Sequence, residues 1–189
     1  MDIAKNYNLL VVEDACMGIG ASIHGQKPGT FGNVNAFSMH PLKSLNVMGD
    51  GGMIVTNNYK IYQWILKYRN HGMVDRDNID IWGVNYRLQP LQAIVAINRL
   101  KVLNSVIKIR NLNAKYLDKK LLSLYPNLKI PKRINDHVET FSLYMVLAED
   151  RDKLLKELIR KGIEAKVHYP TPLHKQKAYL RRFKKIKLP

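Results

Sequence analysis

Apolar positions divide the chain into segments of two distinct periods. Leu9-Leu10-Val11-Val12 is a continuous apolar run that ends at Glu13-Asp14. Its length and lack of alternation predict a buried parallel strand with acids at its carboxyl end. Residues 1–8 then read as the tail of a helix and a turn. Gly18, Gly20, Gly25, Gly29, Gly32 and Pro28 predict loops with short strand pieces over 15–35. Val34 to Met39 and Met53 to Val55 are the next strand candidates, the second followed by a helix N-cap signal, Thr56-Asn57-Asn58. Ile61, Trp64, Ile65 and Tyr68 recur at i, i+3, i+4, i+7, one face of a helix ending near Gly72.

The polar stretch over 73–87 predicts a long loop. Leu88 to Leu103 is apolar around most of its circumference and predicts a buried helix. A lysine-rich helix, from about Ser105 to Leu124, runs on from it with a bend. Pro126 and Pro131 bracket a break, which places a domain boundary between 1–125 and 126–189. Beyond it, Phe141 to Leu147 predicts a strand, and Asp150 or Asp152 caps a helix with Leu154, Leu155, Leu158 and Ile159 inward. Gly162 ends that helix and Ile163 to His168 predicts another strand. Strands alternating with helices, then a small α+β appendage, give an α/β chain of two lobes.

Composition narrows the function classes. A hydrophobic content of 46% in 189 residues supports a packed core. The single cysteine, Cys16, allows no internal disulfide, and no Cys/His cluster has metal-site spacing. No apolar run is long enough to span a bilayer, and the first residues lack a signal-peptide pattern, so a cytoplasmic protein is expected. The net charge of +16 raises nucleic-acid binding. However, residues 1–100 hold nine Lys/Arg against seven Asp/Glu, and residues 101–189 hold 22 against eight. The excess is spread over helix surfaces and a terminal run from Arg181 to Lys187, without the aromatic interleaving of a base-stacking module. Nucleic acid is therefore not the expected partner.

The residues that could carry chemistry cluster early. Lys43 lies between a strand candidate and the turn Gly49-Asp50-Gly51-Gly52, in an apolar setting. Two readings are open: the side chain snorkels to solvent, or its amine does chemistry. Asp14 ends a strand, where ligands of open α/β sheets bind, although a lone acid there also serves as a helix cap. Ser38 stands five residues before Lys43, and its hydroxyl could bind a phosphate. The glycine turn matches neither a dinucleotide fingerprint nor a P-loop.

Taken in order, VVEDA, FSMHPLKSL, GDGGMIVTN, RNHG, NYRLQPLQAI and VHYPTPLHKQKAY closely resemble the DegT/DnrJ/EryC1/StrS aminotransferases. The resemblance covers nearly the whole chain. It implies a partial pyridoxal-phosphate-dependent transferase fold, with an aspartate-aminotransferase-like large domain, a mixed but mostly parallel sheet, and an incomplete small α+β domain. It also implies amination of a keto sugar on a nucleotide carrier, with glutamate as amino donor, for surface polysaccharide or other amino-sugar biosynthesis. By resemblance Lys43 bonds to the aldehyde of pyridoxal 5'-phosphate, Asp14 faces the pyridine nitrogen and Ser38 holds the phosphate. Asn85 reaches the phosphate in the neighbouring subunit, which implies a homodimer. His168, Tyr169 and His174 fall in the segment near the sugar nucleotide.

Two departures stand out. Met17 occupies the position where the family usually has Gln or His against the cofactor's phenolic oxygen, and methionine cannot donate to it. Family members are also roughly twice as long, so the chain is expected to be a fragment or one half of a split enzyme, with a binding or regulatory role as the alternative. The retained lysine disfavours the sugar-dehydratase branch, where histidine replaces it.

Overall fold

The computed structural model describes residues 1–125, 128–183, 186 and 188. The expected break at Pro126, and Lys184, Lys185 and Lys187 of the terminal basic run, lie outside the described residues. The chain divides into two compact units, Met1–Tyr125 with Ile130–Met145, and Pro126–Lys129 with Val146–Pro189. The first unit therefore extends past the boundary expected at 125/126 by taking back residues 130–145.

In the first unit a short helix α1 (Asp2–Asn6) precedes strand β1 (Val12–Asp14). After β2 (Ser22–Ile23), strands β3 (Val34–Ser38) and β4 (Gly52–Val55) complete a three-stranded sheet in the order β1-β3-β4. β1 and β3 run parallel, with Val12 opposite Val34 and Asp14 opposite Ala36, while β3 and β4 are antiparallel. The sheet is mixed, as expected, but the described ladders are not mostly parallel. Helix α2 (Tyr59–Tyr68) follows, its first amides capped by the Asn58 side chain, which accepts from Lys60 and Ile61. Trp64 stacks on Tyr68 at 4.6 Å, one turn along the face that the periodicity predicts.

The loop after α2 is tightly organised. Gly72 has a φ of +77°, and a Cβ placed there would lie 1.6 Å from the Ile81 carbonyl oxygen. No side chain fits at that close approach of two backbone segments. The same loop bridges Asn70 to Asn85 and Met73 to Ile79.

Helix α3 (Pro90–Leu124) is one element, where two helices joined by a bend were expected. A Gln89/Gln92 capping box and Pro90 in the first turn start it. Among its described side chains one stripe is buried: Leu103, Ile107 and Ala114 face inward. Leu91, Ile94, Ile109, Leu112 and Tyr116 return at helical spacing about half a turn away, and all are exposed. The expectation of a buried helix over 88–103 is corrected accordingly: an apolar circumference marks surface that needs cover, not surface that has it.

The expected burial of residues 9–12 is corrected in the same way. Ladder pairing begins only at Val12, which is 76% exposed, and Leu9 and Leu10 are exposed too. Among the described residues β1 has a neighbour on one side only.

Residues 130–145 are tied to α3. β6 (His137–Val138) pairs with β2. The Arg133 guanidinium spans both oxygens of Asp118, at 3.0 and 3.1 Å, and reaches Glu139 at 3.2 Å. It also lies over the rings of Phe141 and Tyr144. The Tyr144 hydroxyl donates to Asp118 Oδ1 at 2.7 Å. Burial, then this bond to Asp118 and its charge, push the Tyr144 phenol up to about 12. The fold thus favours neutral Tyr144. Its stabilising contribution is complete below the ordinary tyrosine value near 10 and is lost as pH rises from there to about 12. Alkaline titration followed by phenolate absorbance is expected to show a late step near 12 that Tyr144→Phe removes.

In the second unit, β5 (Leu128–Lys129) and β7 (Leu147–Ala148) pair antiparallel. β7 is much shorter than the strand expected over 141–147, whose first part belongs to the other unit. Helix α4 (Arg151–Arg160) follows Asp150 at its N-cap, though no Asp150 side-chain bond caps it. Leu154, Leu155 and Leu158 are partly buried, but Ile159 is exposed. Gly162, with φ +75°, ends the helix as expected. Residues 163–168 form no strand: no described segment offers them a ladder. A 3₁₀ turn (Leu173–Lys175) and helix α5 (Lys177–Arg182) follow.

Candidate active site

The parallel pairing of β1 and β3 aligns their carboxyl ends, and two of the expected site residues stand there. Asp14 ends β1 and Ser38 ends β3. Alternation along β1 separates the two acids. Glu13 turns to the 29–32 loop and accepts the amides of Gly29 (2.8 Å), Phe31 (3.1 Å) and Gly32 (3.4 Å), so it is a loop anchor. Asp14 projects to the other face and is exposed. Its Oδ1 accepts the Cys16 amide at 3.0 Å. Hydrogen bonding from the Cys16 thiol and amide, helped by the positive charge of Lys43, holds the Asp14 carboxyl below the usual carboxylate range. The thiol in turn is pushed up, first by its bond to Asp14, then by burial.

Lys43 stands on the segment between β3 and β4. His40 starts the turn: its amide donates to Ser38 Oγ at 3.3 Å, and its carbonyl accepts the Lys43 amide at 2.9 Å. Met39 donates to Gly51 and accepts from Val47, which closes the segment into a compact loop. Beneath it Met39, Leu45 and Val47 pack on Leu103 and Ile107 of α3, with Val47 0% exposed. This cluster is the buried core of the unit. Fully burying such side chains contributes about 1.5–3 kcal/mol each, so the best-packed part of the molecule is the seat of Lys43. The lysine itself is half-buried.

Asp14, Ser38 and Lys43 are thus brought to one end of the sheet, and Lys43 is near enough for its charge to act on Asp14. Met17 follows in the loop after β1, its side chain 43% exposed and its carbonyl engaged by Thr140. Asn85 lies in the loop beyond α2, exposed, with its backbone bridged to Asn70. No hydrogen bond among the described residues joins it to Asp14, Ser38 or Lys43. His168, Tyr169 and His174 belong to the second unit, where the rings of His168 and Tyr169 lie 4.0 Å apart. Among the described residues no group of His, Cys, Asp and Glu could hold a metal ion, and no helix is long and apolar enough to cross a membrane.

Sequence reasoning passed over Arg110 and Thr140, both of which contact the loops carrying Asp14 and Lys43. Arg110 reads as one more cation on a basic helix, and only its half-buried position on the inner face of α3 marks it out.

The model of the DegT/DnrJ/EryC1/StrS aminotransferase family matches residues 1–189. The chain is 32% identical to the UDP-N-acetyl-3-dehydro-alpha-D-glucosamine 3-aminotransferase of Acidithiobacillus ferrooxidans, over 95% of this chain and 48% of that protein. It is 34% identical to Streptomyces venezuelae DesV, solved in complex with a ketimine intermediate, with a TM-score of 0.88 over 96% of this chain and 48% of the other. NtdA of Bacillus subtilis, solved with bound cofactor PMP, is 27% identical with a TM-score of 0.85, over 99% of this chain and 44% of the other. The chain spans about half the length of the curated relatives it matches. With a family match from the first residue to the last, and with Asp14, Ser38 and Lys43 gathered at one sheet end, this chain belongs to the DegT/DnrJ/EryC1/StrS aminotransferase family.

Proposed function

We propose that this chain carries the lysine and the acid of a pyridoxal-phosphate-dependent aminotransferase that acts on a nucleotide-linked keto sugar. The observation that carries the reading is the approach of Lys43, on the segment leaving β3, to an anionic Asp14 at the carboxyl end of β1. The donor set fits the cofactor: a primary amine for an aldehyde, a carboxylate held in its charged form for a ring N–H, and a hydroxyl at a strand end for a phosphate. Pyridoxal phosphate, when bound, supplies the aldehyde and an electron-accepting ring.

The chain's own residues do the rest. Lys43 would hold the cofactor through its amine, and the same nitrogen would carry the substrate proton. Asp14 would face the ring nitrogen and favour its protonated form, and Ser38 would orient the phosphate. Met17 offers no donor to the phenolic oxygen, so this branch leaves that oxygen to another group. Asn85, exposed in its loop, would reach the cofactor of a second subunit in a homodimer. Glutamate serves as amino donor, and His168, Tyr169 and His174 contact the sugar nucleotide. The product is an amino sugar for surface polysaccharide or a related glycan. The exposed edge of β1 among the described residues favours a further segment packed beside it.

Borohydride trapping tests the reading. After incubation with pyridoxal phosphate and reduction, peptide mass mapping should place the pyridoxyl group on Lys43. A label spread evenly over the surface lysines overturns it.

A further inference from the structure

Two loops of the first unit present the expected chemistry, and one short segment far along the chain holds both. Thr140, itself buried, donates its hydroxyl to the Met17 carbonyl at 2.7 Å. That carbonyl belongs to the turn after Asp14, which closes with the Gly18 amide on Ala15 at 2.8 Å. The next residue, Phe141, takes a left-handed φ of +44°. Its carbonyl accepts Arg110 Nη1 at 3.3 Å, and the same nitrogen donates to Ser44 Oγ at 3.3 Å. Ser44 is buried and directly follows Lys43. Asn111, beside Arg110 on α3, fixes the segment from the other side by donating to the Glu139 carbonyl at 2.8 Å.

The result is a continuous polar strut: Met17 to Thr140, along the backbone to Phe141, through Arg110 to Ser44. Each bond spans a wide gap in sequence, 123 residues for Thr140–Met17 and 66 for Arg110–Ser44. Buried polar groups in such a chain are costly to leave unpaired, so the loops cannot drift apart without breaking them. The apolar core under Lys43 seats its loop over α3, and Ile19 of the turn after Asp14 packs against the same core. The run of hydrogen bonds adds a directional link between the two loops, which apolar packing alone does not give.

We infer that Arg110 and Thr140 are positioning residues that set the separation of Asp14 and Lys43. The use of that separation rests on the cofactor reading above, since pyridoxal phosphate must meet the amine at one side of its ring and the carboxylate at another. A small error in such placement is expensive for a site of this kind.

Isosteric variants test this. Thr140→Val removes the hydroxyl and keeps the shape, and Thr140→Ser restores the donor. Arg110→Gln and Ser44→Ala cut the other end of the strut, and Ser44→Ala is small enough to spare the fold. Hydrogen exchange is expected to quicken at least tenfold at Met17–Gly18 in Thr140→Val, and at residues 43–47 in Arg110→Gln and Ser44→Ala. Amides around Leu103 and Ile107 should stay within twofold, and Thr140→Ser should match the wild type. The affinity for pyridoxal phosphate is expected to fall fivefold or more in each broken variant and to return with Thr140→Ser. Equal loosening of α3, or unchanged exchange at both loops, overturns the positioning role. If the wild type takes no pyridoxal phosphate at Lys43, the cofactor reading fails, while the exchange measurements still decide whether the strut holds the loops.

Discussion

Lys43→Arg is expected to abolish the proposed amino transfer, by about 10⁴-fold or more. The substitution keeps the positive charge and much of the length of the side chain, so it isolates the chemistry of the nitrogen. A lysine amine gives up its proton readily when a site favours the neutral form, whereas a guanidinium stays charged at any pH a protein survives. Arginine can therefore neither bond to the aldehyde nor carry the substrate proton. Because the loop beneath is held by Leu45 and Val47, neither of which is touched, the variant should fold like the wild type. Lys43→Ala should be equally dead, but a small primary amine added to the medium should restore part of its proton transfer. Residual activity of Lys43→Arg above about a hundredth of wild type would remove Lys43 from the centre of the reaction.

Asp14→Asn is expected to cost at least about a hundredfold in turnover, the size of effect carried by a single electrostatic group at a reacting centre. The geometry is kept, since the asparagine oxygen still accepts the Cys16 amide. What is lost is the negative charge that, on the proposed function, would hold a proton on the ring nitrogen. The two variants should part in a direct way: borohydride labelling of Lys43 survives in Asp14→Asn, while conversion of the cofactor to its amine form by glutamate collapses. The pH behaviour follows from the same charge. Asp14 titrates below the ordinary carboxylate range because Cys16 and Lys43 favour its anion. Its stabilising contribution is therefore present above the unfolded carboxyl value and is lost as pH falls through the depressed folded one.

Much of the candidate site was legible because its signals are local. The strands carrying Asp14 and Ser38 announce themselves as apolar runs with polar ends, and Lys43 stands out as a cation in apolar surroundings. The order of the motifs then links them. What the sequence could not display was reach. Arg110 and Thr140 meet Ser44 and Met17 only after α3 and the 130–145 segment have folded back, and on paper they are an arginine among lysines and a threonine in a loop. The fold shows the same divide. Helix α2 follows its periodicity and the Asn58 cap. Residues 163–168 had the composition of a strand but no partner among the described residues, since a ladder is a property of two segments. The burial expected for residues 9–12 and 88–103 failed for one reason: apolar sequence states a demand for contact, and only the neighbours present can meet it.

The wide exposure of β1 and of the outer stripe of α3 has a calorimetric counterpart. Val12, 76% exposed, and Leu91, 77% exposed, are hydrated in the folded chain much as in the unfolded one. Since heat capacity tracks newly hydrated apolar area, unfolding should raise it by less than about 2.3–2.8 kcal/mol/K, the rise expected for 189 residues. Its stability curve is then flatter, and its denaturant transitions are correspondingly gradual.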